Sequence, residues 1–342
     1  MSDQLLRTML PAIESELKHQ ISRLDATHTK LYHEMLTYHM GWTGEGAGPE
    51  ATGKRIRPLL VLLTAAASNQ AADGADAWEP VLPAAAAVEL VHNFSLVHDD
   101  IQDKSEKRRG RDTAWVKWGM QQAINAGDGL LVLSNLAITD LVQQHPAEKV
   151  VRAAQILHTT CLELTRGQFL DMSYEKRSDL GVEDYWPMIG GKTASLLACC
   201  CHLGALLGGA DEPTQDAYRS FGYSLGLAFQ VQDDILGIWG DEAVTGKSVA
   251  SDLVEGKKSL PVLAGLGKKG KFAERWAQGP IRQKDVEEIA KLLASESAYT
   301  YTHEAARQMT DMALSSLREA DPHGEAGEAL NTLAGKLLGR EM

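Results

Sequence analysis

Apolar residues in this 342-residue chain recur at spacings of three and four, and sustained alternation with polar residues is nearly absent. That pattern sets a helical period and leaves little from which to build a sheet. Ala and Leu, both strong helix formers, dominate, and β-branched runs are few. Leu5, Met9, Ile13 and Leu17 form one such face near the start, continued by Ile21 and Leu24. The chain is therefore expected to be all-α.

Glycine- and proline-rich breaks divide the helical pattern at 41–53, 69–80, 208–213, 240–248 and 265–280. Each is of connection length, so a single domain over 1–342 is expected. A hydrophobic share of 44% supports a sizeable core. The four cysteines are Cys161 and the consecutive Cys199, Cys200 and Cys201. No C-x-x-C pair exists, and adjacent cysteines point apart, so buried thiols in a reducing compartment are expected. The charged N-terminus lacks a signal-peptide block, and the apolar stretch 194–210 falls short of the roughly 18–20 residues of a membrane span. No transmembrane segment and a cytoplasmic location are expected.

Net charge is −12, from 34 Lys and Arg against 46 Asp and Glu. An acidic surface repels polyanions, which argues against nucleic acid as a partner. An anionic ligand needs a local cationic pocket or a bridging metal.

The charge pattern supplies both. Leu90, Val91, Phe94, Leu96 and Val97 are apolar all round a helix, which implies burial, and the run ends in Asp99, Asp100 and Asp103. Asp99 and Asp103 share a face and repel, so a neutralising partner is expected. Oxygen-only ligands suit a hard cation such as Mg²⁺, which takes one or two carboxylates together with substrate phosphates. Arg108 and Arg109 follow closely. A second apolar run ends in Asp233 and Asp234, with Lys247, Lys257 and Lys258 beyond. "GKRIRP" at 53–58 places Lys54, Arg55 and Arg57 at an expected helix start, a pattern suited to an anion. "IGGKTAS" lacks the first glycine of a phosphate-binding loop, since position 186 is Trp186, but Lys192 and Thr193 are expected to open a helix. His92 and His98 have no metal-ligand spacing and are read as hydrogen-bonding residues.

"GKRIRP", "LVHDDIQDKSEKRRG", "GKTAS", "GQFLD", "FQVQDDILGIWGD", "TGKS" and "DLVEGKKSLP" appear in that order. The ordered set resembles the trans-isoprenyl diphosphate synthases, the polyprenyl synthetase family. The resemblance implies an all-α isoprenoid-synthase bundle of antiparallel helices around a central cavity, usually a homodimer. It implies a prenyltransferase joining isopentenyl diphosphate to allylic diphosphates with three Mg²⁺ per site. Asp99, Asp103 and Asp171 would bind two of these ions and Asp233 the third, with Asp100 and Asp234 in support. Arg108, Lys192, Lys257 and Lys247 would hold the allylic diphosphate. Lys54, Arg57, His92 and Arg109 would hold isopentenyl diphosphate. Thr193 and Gln230 would lie along the developing carbocation. The chain departs from the family pattern at Gly237, where a third aspartate usually stands.

By the same resemblance, Phe94 and Ser95 line the cavity floor and set product length. One bulky ring beside a small residue implies geranylgeranyl diphosphate; the alternatives are farnesyl diphosphate synthesis or terpene cyclisation on the same scaffold.

Overall fold

The computed structural model describes residues 2–69, 74–240 and 251–339. Lys247 lies outside them. Two compact units emerge: one comprises Met1–His158, Cys199–Asp216 and Asp321–Leu330, the other Thr159–Ala198, Ala217–Ala320 and Asn331–Met342.

The first unit contains α1 (Ser2–Ser22), α2 (Lys30–His39), α3 (Pro49–Thr52), α4 (Ile56–Ser68), α5 (Leu82–Gln102), α6 (Ala114–Trp118) and α7 (Met120–Asp140). Its centre is α5, which packs against α1, α4 and α7. Ala84–Leu90 and Val91, Phe94 and Val97 of this helix are buried, as its apolar circumference requires. On α1 the expected face is realised, with Met9, Ile13, Leu17 and Ile21 fully buried. Burying each such side chain stabilises by roughly 1.5–3 kcal/mol. Pro58 sits in the first turn of α4, where its missing N–H leaves no intrahelical bond unmade.

Helix α8 (Ala147–Tyr174) leads into the second unit, which holds α9 (Val182–Ile189) and most of α11 (Glu212–Trp239). Between α9 and α10 (Ser195–Gly208) the backbone makes one π-helical turn, Gly190–Ala194. After residue 250 come α12 (Ser251–Glu255), α13 (Leu260–Gly267), α14 (Lys271–Ala277), α15 (Val286–Ser295), α16 (Ala298–Ala320) and α17 (Gly324–Leu338). Tyr185, Ile189, Val231, Ile235, Leu260 and Leu263 form one buried cluster; Ile238, Leu253, Phe272, Ile289 and Leu293 form another.

The all-α expectation holds. Among the described residues the sheet is one hairpin, β1 (Lys107–Arg108) paired with β2 (Arg111–Asp112). Three local expectations are corrected. The breaks at 41–53 and 265–280 carry the short helices α3 and α14. Lys192 and Thr193 sit inside a π turn and do not open a helix. Two helical stretches, Gly74–Gln102 and Val182–Gly208, are long and apolar enough to cross a membrane by composition, but 67% and 78% of their apolar windows are buried within the protein, which marks them as core helices. Cys161, Cys199, Cys200 and Cys201 form no disulfide, and the last three are buried.

Candidate active site

In the first unit, α5 delivers Asp99, Asp100 and Asp103 at its C-terminal turn. Asp103 N–H donates to the Asp99 carbonyl at 2.8 Å, which sets these two carboxylates one turn apart. Asp100 turns inward and is 2% exposed. The hairpin brings Arg108 onto it: Nε donates to both carboxylate oxygens at 2.9 and 3.1 Å, and Nη2 lies 2.7 Å from Oδ1. Burial raises the Asp100 carboxyl above its ordinary range even against this guanidinium. The paired charges lock Arg108 in place.

Arg109, at a left-handed φ of 52°, donates Nη1 to the Ala51 carbonyl at 2.7 Å. Its guanidinium lies over Gly53, where an added Cβ would stand 2.7 Å from Nη2. Arg57 and His92 are near neighbours, for the His92 imidazole is held well below its ordinary pKa, first by burial and then by Arg57, Arg109, Arg108 and His39. Burial likewise lowers Arg57 and Arg109. Positive charges crowded out of water in this way favour an anion among them. Lys54 is exposed.

Arg55 corrects the three-cation reading of "GKRIRP". At φ 48° it caps α4 with its side chain turned into the core, where Nε meets Glu14 at 2.6 Å and Nη1 meets Glu89 at 2.7 Å. It anchors the motif and leaves Lys54 and Arg57 for the ligand. Phe94, 8% exposed, meets His98 edge to face at 5.5 Å, and Ser95 bonds back to the His92 carbonyl. The hydrogen-bonding role read for His98 is realised by its 3.2 Å contact with the Ile124 carbonyl.

In the second unit, a close backbone approach builds the site. An added Cβ on Gly167 would lie 2.1 Å from Lys192 N, and one on Gly191 would lie 2.9 Å from Gly167 Cα. Only glycines permit this contact, and one turn beyond Gly167 the Lys192 Nζ reaches Asp171 at 2.5 Å. Thr193 Oγ1 donates to Gln230 Oε1 at 3.0 Å, and Gln230 Nε2 donates to Asp234 Oδ1 at 3.0 Å. Tyr185 O–H and Leu260 N–H complete Asp234, donating to Oδ2 at 2.7 and 2.9 Å. Burial pushes the Asp234 carboxyl up to about 6 despite these donors. Asp234 is thus a bracket that fixes Gln230 and leaves neighbouring Asp233 as the motif's candidate ligand. Lys257 Nζ lies 2.8 Å from Glu255 and 3.5 Å from Asp252. Gly237 faces the Asp252 carboxylate.

Tyr185, Glu89, Asn93 and Glu14 were not singled out from sequence. Each acts through a partner dozens of positions away, and no short motif records such a pairing.

Among the described residues no three His, Cys, Asp or Glu side chains converge as a ready-made metal cage. The donors fit Mg²⁺ nonetheless. They are hard carboxylate oxygens offered one or two at a time, and this ion completes its shell with substrate phosphates.

Carboxylate-ended apolar helices, guanidinium groups beside one of them and a lysine held by Asp171 of α8 are the parts of an all-α enzyme for diphosphate chemistry. The sequence profile of the polyprenyl synthetase family matches residues 48–294. A geranylgeranyl diphosphate synthase of Mycobacterium tuberculosis is 41% identical over 293 residues, 84% of this chain and 81% of that one. A (2E,6E)-farnesyl diphosphate synthase of Mycobacterium bovis is 40% identical over 285 residues, 81% and 76% of the two chains. The crystal structure of a polyprenyl synthetase from Streptomyces coelicolor A3(2) superposes with a TM-score of 0.86 at 36% identity, covering 98% of this chain and 99% of that one. The chain belongs to the polyprenyl synthetase family. It is a trans-prenyltransferase, and its family works with Mg²⁺.

Proposed function

We propose that the protein condenses isopentenyl diphosphate with allylic diphosphates up to geranylgeranyl diphosphate. The observation that carries this reading is the cluster of Arg57, His92, Arg108 and Arg109 beside the carboxylate end of α5. A terpene cyclase has no use for a second diphosphate site of this kind.

Asp99, Asp103, Asp171 and Asp233 are the ligands proposed for three Mg²⁺. When bound, the ions supply positive charge where the departing diphosphate gathers negative charge. Arg108, Lys192 and Lys257, with Lys247, grip the allylic diphosphate. Their pairing with Asp100, Asp171 and Asp252 keeps the first three extended and oriented. Lys54, Arg57, His92 and Arg109 seat isopentenyl diphosphate. Thr193 and Gln230 aim oxygen dipoles at the allylic cation. The proton lost after carbon–carbon bond formation goes to the departing diphosphate, so no dedicated protein base is needed.

The single ring of Phe94, next to small Ser95, supports the twenty-carbon product. The farnesyl-forming relative at 40% identity supports a fifteen-carbon second reading. Four thiols outside any disulfide favour the cytoplasm. The exposed apolar stripe Met120, Ile124, Val132 and Leu136 on α7 favours a homodimer. The test is incubation of isopentenyl diphosphate with dimethylallyl, geranyl or farnesyl diphosphate, with and without Mg²⁺, and sizing of the products. Hydrocarbon from a preformed prenyl diphosphate, without incorporation of isopentenyl diphosphate, would overturn the reading.

A further inference from the structure

His39 is the last residue of α2, and its Nε2 is shielded from solvent with no hydrogen-bond partner. Together with Ala51, Asn93, Leu96, Arg108 and Arg109, the side chain lines a narrow cleft of about 20 Å³, which must widen to admit a phosphate oxygen. A buried polar atom left unpaired is destabilising. The cationic groups around this one say what could satisfy it.

Its orientation is fixed by a chain of contacts. The Asn93 amide nitrogen donates to the Glu89 carbonyl at 2.8 Å and to Glu89 Oε1 at 3.2 Å. The amide oxygen is left as the acceptor for His39, to which Asn93 is hydrogen-bonded. Because Nε2 has no partner, the bonded nitrogen is Nδ1, which carries the proton, and Nε2 presents an open lone pair. Glu89 is held by Arg55, and Arg55 by Glu14. Burial, followed by Arg108 and Arg109, lowers the imidazole pKa to about 3, so the ring is neutral near neutral pH.

We propose that His39 is a substrate-binding residue that grips the terminal phosphate of isopentenyl diphosphate beside Arg109. This deepens the functional reading above and rests on it. Near neutral pH a terminal phosphate can carry one proton. That proton passes from the phosphate oxygen to Nε2: the O–H bond breaks, the N–H bond forms, and the imidazolium donates back to the oxygen it came from. The diphosphate oxygen gives the buried ring the charged partner that burial denied it, and its negative charge offsets the guanidinium groups of Arg108 and Arg109. Other ionisable groups around the ring are His92, Arg55 and the cleft residues Asp100, Arg111 and Asp112. The contact formed is a charge-assisted hydrogen bond, the strong kind.

Calorimetric titration with isopentenyl diphosphate in EDTA reads this subsite without metal-assisted binding elsewhere. His39→Ala is expected to weaken binding about ten- to a hundredfold, and His39→Gln to recover part of the loss. In turnover with Mg²⁺, KM for isopentenyl diphosphate should rise by a similar factor, while kcat and the allylic KM move by less than about threefold. Nitrogen NMR of wild-type His39 should show Nε2 changing from bare to protonated as ligand is added. If His39→Ala does not fold, His39→Gln and the NMR titration carry the test. Wild-type affinity in His39→Gln with an unchanged Nε2 signal, or both KM values rising together, would overturn the proposal. Arg57→Ala serves as the reference: if it leaves isopentenyl diphosphate binding intact, the assignment of the cluster itself fails, independently of His39.

Discussion

The Asp252 carboxylate fills the space in which a side chain on Gly237 would begin: an added Cβ would lie 2.2 Å from Oδ2 and 2.7 Å from Cγ. The position where the family usually carries a third aspartate is therefore blocked by another carboxylate, itself held near Lys257. Restoring the family residue with Gly237→Asp is expected to lower kcat by at least about tenfold, because Asp252 must leave its place and two carboxylates then repel. Adding Asp252→Ala should recover part of the loss. Steady-state rates across a Mg²⁺ titration check this; a faster Gly237→Asp enzyme would contradict it.

Phe94→Ala should lengthen the product beyond twenty carbons by opening the cavity floor. It should also cost about 3–5 kcal/mol of stability, as emptying a buried ring position does. Chromatography of the dephosphorylated alcohols reads the first effect, denaturant unfolding the second. An unchanged product length sinks the floor assignment.

Arg55 and Arg57 are two positions apart and should behave oppositely. Arg55→Ala strands Glu89 in the core and is expected to cost about 3–5 kcal/mol, seen as a lower melting temperature. Arg57→Ala should leave melting nearly unchanged and raise KM for isopentenyl diphosphate at least about tenfold.

Buried neutral histidines make the fold acid-sensitive. His39 and His92 both titrate below the unfolded value of about 6.5. The unfolded chain therefore binds more protons as pH falls below 6.5, and stability present above that pH is lost on acidification. Each pH unit costs about 1.4 kcal/mol per histidine, until the folded-state pKa is reached. His39→Gln should flatten the slope of unfolding free energy against pH between 6.5 and 4. A parallel slope refutes the assignment.

Turnover should stop in excess EDTA and return with added Mg²⁺. Asp99→Asn and Asp233→Asn should each lower kcat by at least about a hundredfold with little change in melting temperature. Turnover that survives chelation would remove the metal from the account.

Much of this was legible in the chain. The helical period of α1 and α5 predicted which faces are buried, because burial of a regular helix depends on local spacing alone. The order of acidic and basic runs marked Asp99, Asp103, Arg108 and Asp233. What escaped was set by non-local geometry. Arg55 reads like Arg57 until its left-handed backbone turns it toward Glu14 and Glu89. His39 has no signal of its own, since its partner Asn93 lies on another helix. Lys192 reads like a helix start because Gly190 and Gly191 resemble a break, whereas Gly191 serves a close approach to Gly167 and Gly190 one to the Tyr223 hydroxyl.

The π turn at Gly190–Ala194 holds one residue more than an α-helix would in the same length. Removing a single amino acid there would close the segment to a regular α-helix, whereas the same deletion elsewhere in α10 would turn everything downstream by about 100°. Thr193, inside the turn, would shift relative to Gln230, while the cysteine triplet beyond it would keep its present side toward its neighbours. A relative lacking that residue should therefore be aligned with its gap inside this turn, since a gap placed elsewhere would pair side chains that point in different directions.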